Sequence, residues 1–332
     1  MDDTITLPAI LEAALAQTLC PEDAKRVRAG IADAEERPVT LRANTLLTSA
    51  DEVEAALADA GIRATRVPWY TDAFVLDEVR ERAVWDLSLY QEGKIYLQSL
   101  SSLLPPLVLA PRPGADILDM CAAPGGKTSE LAALAEGAAH ITACEMKAPR
   151  AEKLRYNMEK LGVRGLNLMV CDARRLDTFF SFDQILLDAP CTGTGTLQPP
   201  LGKSAERMTE KLLEKVMRSQ RALLDRALTV LKPGGELVYS TCSVLPQENE
   251  EQIATALKKH RDCTLVPLTL TSAGEDLDEA EVPAMPASMQ RVLEAVEAGD
   301  IPTLHSSLTG VVTVCPTRLF EGFFMAKIKK ER

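Results

Sequence analysis

The sequence predicts an α/β protein whose larger part is a doubly wound, mainly parallel sheet covered by helices. Three observations lead there. Short apolar runs alternate with amphipathic stretches from Ala115 to His260, the pattern of strands joined by crossover helices. A glycine-bearing turn, Gly125-Gly126, follows the first of these runs. The other polar motifs also fall where strands end, and the carboxyl ends of strands are where such sheets bind ligands.

In order, the expected strands are residues 115–120 (ADILDM), 139–145 (AHITACE), 166–173 (LNLMVCDA), 183–190 (DQILLDAP) and 235–243 (GELVYSTCS). Helices are expected over 127–136, 148–161, 204–231 and 247–260. Residues 1–95 read as a separate small α/β accessory domain, with 96–332 as the main domain. The small domain opens with a helix around PAILEAALAQ, then VTLRANTL as a strand and SADEVEAALADAG as a helix capped by Ser49. The acidic segment 273–300, with Pro283, Pro286 and Gly299, reads as an exposed insertion, either mobile or forming a short helix. GVVTVCP and GFFMAKIKK return to strand character and complete the sheet.

Composition bounds the function. The 332 residues are 46% hydrophobic and 26% charged, with no apolar run long enough to span a bilayer. The start MDDTITLPAI lacks the basic opening and apolar core of a secretory signal, so a cytoplasmic protein with no membrane association is expected. The eight cysteines then read as thiols. Only His140, His260 and His305 are present, far apart in sequence, so no metal site and no histidine triad is expected. The net charge of −11 argues against a globally basic nucleic-acid surface. Residues 273–300 hold eight acids against Arg291, however, so the rest of the chain carries only −4 and leaves room for a local basic groove.

The turn DMCAAPGGKT (119–128) ends like a phosphate-binding P-loop but fails as one. Cys121 stands where the first glycine belongs, and Pro124 has no N–H for a phosphate. Gly125 and Gly126 still let a cofactor approach the backbone closely. Glu145 ends the second strand, 19 residues after Gly126, where such folds set an acid against ribose hydroxyls. Asp172 ends the third and could meet an adenine amine. One loop and two acids suggest a nucleoside cofactor with no phosphate requirement, and S-adenosylmethionine fits.

DAPC (188–191) ends the fourth strand and STCS (240–243) the fifth, so Cys191 and Cys242 could face one pocket although 51 residues apart. Any single buried cysteine is usually a small apolar filler. These two lie at the ligand-binding edge of the sheet beside small polar neighbours. A thiolate solves a specific problem: addition at carbon 6 of cytosine makes carbon 5 nucleophilic enough to take a methyl group, dividing one hard step into two. Asp188 could bind N3 and the exocyclic amine, favouring protonation at N3. The residues alone do not choose which cysteine attacks.

DMCAAPGGKT, DAPCTGTG and STCSVLPQENE, with LRANTL (41–46) and IYLQSLSSLLP (95–105) upstream, resemble the Sun-type (RsmB/NOP/NSUN) RNA cytosine-5 methyltransferases. The resemblance covers residues 38–260 and the closing GFFMAKI. It implies a Rossmann-like class I S-adenosylmethionine-dependent methyltransferase sheet and a transfer or ribosomal RNA substrate. It further implies that Cys121, Ala122, Ala123, Pro124, Gly125, Gly126 and Lys127 hold the methionine portion. Glu145 would hold the ribose, Arg150 and Asp172 would complete the cofactor site, and Asp188 would lie between cofactor and base. Cys242 would be the nucleophile and Cys191 would assist product release, whereas DNA cytosine-5 methyltransferases use the Pro-Cys thiol.

The chain departs from the family after Pro-Cys, where LQPPLGKSAER replaces a more basic run; Lys203 and Arg207 are candidate substitutes. Arg42 and Lys94 are candidate phosphate contacts. The competing readings are a DNA cytosine methyltransferase and a non-catalytic RNA-binding assembly factor. A monomer is expected.

Overall fold

The structure is a computed structural model that describes residues 6–270 and 285–332. Its strands, in chain order, are β1 (Val39–Ala43), β2 (Ala64–Val67), β3 (Tyr70–Leu76), β4 (Ile95–Leu97), β5 (Asp116–Asp119), β6 (His140–Cys144) and β7 (Asn167–Met169). They continue as β8 (Phe182–Asp188), β9 (Leu231–Thr241), β10 (Cys263–Val266), β11 (Thr303–Leu304), β12 (Val312–Val314) and β13 (Phe323–Lys330).

The first four strands make an antiparallel sheet of order β2-β3-β1-β4. The helix Ala50–Asp59 covers it, burying Val53 and Leu57 against Leu41, Phe74 and Leu76. Ser49 starts that helix as expected, its hydroxyl accepting from the Glu52 N–H at 3.2 Å while the Glu52 carboxylate accepts from the Ser49 N–H at 2.9 Å. The two helices before β1, Ala9–Gln17 and Pro21–Asp33, pack elsewhere: Leu11, Val27 and Ile31 join Leu197, Val244, Leu245 and Cys315 of the larger sheet's loops.

The larger sheet runs β11-β12-β13-β9-β8-β5-β6-β7, with β10 also on β13. The strands β9, β8, β5, β6 and β7 are parallel, and β10 to β13 pair antiparallel. The chain starts this sheet in the middle, at β5, builds outward through β6 and β7, then returns to β8 on the other side. The winding reverses at β5, so a crevice opens beyond the ends of β5, β6 and β8. Apolar layers fill both faces. The helix Leu100–Leu109, buried along almost its whole length, lies in one. The apolar side of Glu210–Val230, including Leu223, Leu224, Ala227 and Leu228, lies in the other.

Several expectations change. The helix read over 204–231 is two: Lys203–Glu206, then Glu210–Val230, separated because the Thr209 hydroxyl caps the second by accepting from the Leu212 N–H. The third strand keeps only Asn167–Met169, since Asp172 turns the chain into a short 3₁₀ segment. The acidic 273–300 stretch is not an exposed insertion where it is described. Ala287–Ala298 is a helix that buries Met289, Val292, Leu293 and Ala295 in the core, and the Ser288 hydroxyl donates to the Leu107 carbonyl. Its acids lie on the outward side, and an acidic helix with an apolar stripe reads as polar when only charge is counted. Residues 273–284 lie outside the described residues.

Candidate active site

After β5 the chain turns through Cys121–Gly125 into the helix Gly126–Leu134. Gly125 has φ +113°, a backbone open to glycine, and a Cβ there would lie 2.6 Å from the Met158 methyl. A Cβ on Gly126 would lie 2.9 Å from the Tyr96 ring. The two glycines thus let Met158 and Tyr96 pack directly against the turn. Beside them is a cavity of about 200 Å³ lined by Tyr96, Gln98, Cys121, Pro124, Lys127 and Asp188, among others. Asp119 closes its base, accepting from the Thr128 hydroxyl at 2.7 Å and the Cys121 N–H at 3.3 Å. Burial pushes the Asp119 carboxyl up to about 6, with the nearby Asp188 adding to it and the Thr128 hydrogen bond opposing. Burial also raises the Cys121 thiol well above its ordinary range.

Glu145 follows β6 and is nearly buried. One oxygen accepts from the Lys147 N–H at 2.8 Å and the other meets Arg150 at 2.9 Å. Arg150 also donates to the Ala123 carbonyl at 2.6 Å, so this arginine ties the acid to the glycine turn. Asp172 is engaged by Arg174 through both carboxylate oxygens, a pairing that holds its carboxyl below the usual range. Met146 presents a 57% exposed side chain next to Glu145.

Asp188 ends β8 and receives the Ser240 hydroxyl at 2.8 Å and the Lys127 ammonium at 2.8 Å. Lys127 also donates to the Ser102 hydroxyl at 2.7 Å and sits 5.3 Å from the centre of the Phe323 ring. Burial works against its charge, but Asp188 outweighs that and raises its pKa, so Lys127 is a cation at the cavity wall. Cys191 and Cys242, from the loops after β8 and β9, meet with their sulfurs 3.0 Å apart. The hydrogen bond to Cys242, together with burial, pushes the Cys191 thiol well above its ordinary range.

Glu248 holds the two cysteine loops together. Its buried carboxylate accepts from the Thr192 N–H at 2.8 Å, the Thr192 hydroxyl at 2.5 Å, the Ser243 hydroxyl at 2.5 Å and the Gln220 amide at 3.0 Å. Asn249 reinforces the second loop, accepting from the Thr241 hydroxyl and donating to the Ser243 carbonyl. Further ties are the Gly195 N–H to the Cys242 carbonyl and the Ala189 N–H to the Ser240 carbonyl. Nothing near Glu248 in the sequence marks this role, because its partners lie 5 to 56 residues away.

Of the residues expected at the site, Cys121, Ala122, Ala123, Pro124, Gly126, Lys127 and Asp188 line the cavity. Glu145 and Arg150 adjoin it through the Ala123 carbonyl, whereas Gly125, Asp172, Cys191 and Cys242 are not in its lining. Arg42 does not belong to an RNA surface. It is fully buried, donating to the Ser129 hydroxyl at 2.9 Å and to the Ala43 carbonyl, and it joins the small sheet to the helix Gly126–Leu134. An arginine in a strand reads as exposed when the domain stacked on it is not known. Lys94 is part-exposed and pairs with Glu92 at 2.7 Å. Tyr96, Gln98, Ser102 and Ser240 also reach the site with no forewarning as individual residues.

Comparison with known proteins then adds family relationships. Residues 106–329 match the model described as "16S rRNA methyltransferase RsmB/F". Residues 16–81 match that of a ferredoxin-like domain of RsmF/B-like methyltransferases. The chain is 31% identical over 301 residues to "Ribosomal RNA small subunit methyltransferase F" of Shewanella sp. (strain ANA-3), covering 88% of this chain and 56% of the relative. It is 37% identical to "26S rRNA (cytosine-C(5))-methyltransferase nsun-1" of Caenorhabditis elegans, covering 89% of this chain and 42% of the relative. The chain therefore spans about half the length of these curated relatives. A solved "Methyltransferase Homolog Protein" from Pyrococcus horikoshii superposes with TM-score 0.71 at 33% identity, covering 98% of this chain and 100% of that one.

Proposed function

Because this chain belongs to the RsmB/F methyltransferase family, we propose that it transfers a methyl group from S-adenosylmethionine to carbon 5 of a cytosine in RNA. The reading includes a covalent bond between Cys242 and carbon 6 of the base. The observation that carries it is the 3.0 Å approach of two thiols from separate loops, next to the Lys127–Asp188 pair and the glycine turn.

The cavity suits the cofactor. Gln98 donates from its amide nitrogen to Glu130 and the Ser102 carbonyl, while its buried Oε1 has no protein partner among the described residues, an acceptor left for an ammonium group. Gly126 lies in the cavity lining, so a ligand there meets bare backbone. Cys121–Lys127 hold the methionine portion, Glu145 the ribose hydroxyls, and Arg150 and Asp172 complete the site. When bound, S-adenosylmethionine supplies a sulfonium methyl as electrophile.

The chain's own groups do the rest. Cys242 adds to carbon 6, and the ring electrons make carbon 5 nucleophilic. Asp188 binds N3 and the exocyclic amine, so that N3 gains a proton as charge develops on the ring. Cys191 stands within hydrogen-bonding distance of the Cys242 sulfur, and the family resemblance makes Cys242 the attacking atom. After transfer, the carbon 5 proton passes to the Cys191 sulfur, which has released its own proton to solvent, N3 gives back the proton it gained, the C5–C6 double bond re-forms and the Cys242 sulfur leaves.

Ribosomal RNA is the substrate class favoured, from the printed names of the relatives. The test is transfer of labelled methyl from S-adenosylmethionine to ribosomal RNA, transfer RNA and matched DNA. Cys242→Ala is expected to abolish transfer, and Cys191→Ala to accumulate a denaturant-resistant protein–RNA adduct. Wild-type turnover by Cys242→Ala would sink the covalent step. Methylation of DNA alone would select the DNA enzyme, and no binding of S-adenosylmethionine by calorimetry would leave only an assembly factor.

A further inference from the structure

We propose that Cys20, Asp23 and His305 form a binding site for a divalent metal ion of the zinc class, which would clasp the start of the chain to its C-terminal hairpin. Cys20 and Asp23 lie three residues apart, but His305 is 285 residues from Cys20, and no metal is expected from three scattered histidines. The fold brings their donor atoms within 4.8 Å of one another, and among the described residues they are the one such group of three.

Cys20 precedes the helix Pro21–Asp33, and Asp23 lies in that helix's first turn. His305 follows β11 and reaches them from 285 residues away. Its Nδ1 lies 3.8 Å from the Cys20 sulfur and 2.9 Å from Asp23 Oδ2. One ring nitrogen therefore faces both other donors. A Cys-His-Asp catalytic relay uses the two ring nitrogens for two different partners, so this geometry is not that of a nucleophile and its base. It is the geometry of three ligands converging on one point. In a tetrahedral zinc site with bonds of about 2.3 Å to sulfur and about 2.0 Å to nitrogen, the two ligand atoms lie about 3.5 Å apart. The observed separation needs an adjustment of only a few tenths of an ångström.

The surroundings support the donors. Asp23 is wholly buried; its Oδ1 is held by Arg26 at 3.0 Å, and Arg26 also donates to the Thr303 carbonyl at 2.7 Å. The His305 N–H donates to Asp23 Oδ2 at 2.7 Å. The carboxylate is thus oriented by groups behind it, as outer-shell partners orient metal ligands. Cys20 and His305 are exposed, so an ion has access and a fourth position is open to water. Sulfur, imidazole and carboxylate together select zinc and its neighbours over calcium or magnesium, which take oxygen ligands. On binding, the Cys20 thiol gives its proton to solvent and neutral His305 carries its proton on Nε2. The ion replaces the hydrogen bond between Nδ1 and Asp23.

The test uses the full chain, freed of metal by dialysis against a chelator and titrated with Co²⁺, then with Zn²⁺. The wild type is expected to develop a thiolate-to-cobalt charge-transfer band, which Zn²⁺ bleaches. Cys20→Ser is expected to remove the band. His305→Gln is expected to weaken affinity at least about tenfold, and Arg26→Gln, which leaves all three donors, also about tenfold. Zn²⁺ should raise the melting temperature of the wild type but not of Cys20→Ser. Both exposed positions tolerate these changes, and matching circular dichroism of the metal-free proteins checks that they fold alike. A wild type without the band overturns the site, and so does a band that persists in Cys20→Ser, since the ion then sits on other thiols.

Discussion

Removing the Glu248 carboxylate tests whether it unites the two cysteine loops. Glu248→Ala deletes the acceptor of four hydrogen bonds, from the Thr192 N–H, the Thr192 hydroxyl, the Ser243 hydroxyl and the Gln220 amide. The losses are unequal. Ser243 retains the Thr194 hydroxyl at 3.0 Å, and Gln220 retains the Pro190 carbonyl at 3.0 Å. The Thr192 N–H, buried, keeps no partner. A stranded buried donor costs about 1–3 kcal/mol, and breaking charge-assisted bonds costs more. Burying a carboxylate is itself unfavourable, so its removal returns part of the loss. The net expectation is about 3–5 kcal/mol of destabilisation. At about 2–4 °C per kcal/mol for a large domain, the melting temperature should fall by roughly 10 °C. Methyl transfer should fall as well, because Thr192, next to Cys191, loses its tie to the Cys242 loop. Glu248→Gln keeps the shape and should lose roughly a third as much, about 1–2 kcal/mol. Thermal melting by circular dichroism decides the matter: a Glu248→Ala protein melting within about 2 °C of the wild type would refute the role assigned to this carboxylate.

Three further outcomes follow from the geometry. Arg42→Ala strips a fully buried guanidinium from between the small sheet and the Ser129 hydroxyl, and should cost about 3–5 kcal/mol in denaturant titration. Arg42→Lys should rescue little, because a single ammonium cannot replace the fork; a stable Arg42→Ala would remove this arginine from the junction. Gly126→Ala sets a Cβ 2.9 Å from the Tyr96 ring and should weaken S-adenosylmethionine binding at least about tenfold by calorimetry, whereas an unchanged affinity would separate the glycine turn from the cofactor. Burial pushes the Glu130 carboxyl up to about 8, against the opposing pull of Arg42 and Gln98. The folded protein therefore holds that proton where the unfolded chain, near 4.5, has released it, so stability falls as pH rises between those values. Glu130→Gln should flatten that decline, and an identical slope in both proteins would show that Glu130 does not titrate there.

The parts legible in the sequence are those whose physics is local. The strand ends at Asp119, Cys144, Asp188 and Thr241 follow apolar runs, and Ser49 with Glu52 spells a helix start in four residues. The convergence of Cys191 and Cys242 follows from topology, since the parallel neighbours β8 and β9 must end side by side. What stayed hidden depends on contact between elements remote in the chain. Arg42 looked like a surface cation because nothing nearby in sequence announces the helix that buries it. A short helix is among the readings of the acidic segment, but the acids on the outer side of Ala287–Ala298 obscure its burial, although Met289, Val292 and Leu293 carry the spacing of a buried stripe. Cys20, Asp23 and His305 are the extreme case, a cluster spanning 285 residues.

The small sheet does more than carry a separate module, because it supplies a wall of the cavity. Tyr96 and Leu97 of β4, and Gln98 just after it, line the same space as Cys121, Lys127 and Asp188. β4 is held in register on β1, pairing Leu97 with Leu41 and Tyr96 with Arg42. Arg42 in turn donates to Ser129 in the helix that begins at Gly126. The glycine turn is thus bounded by the parallel sheet on one side and by the antiparallel sheet on the other. A shift of the small sheet by an ångström would move Gln98 relative to Lys127, so anything that engages the small sheet bears mechanically on the cavity. Such coupling needs no moving lid, only the continuous contact from β1 through Arg42 and β4 to the turn.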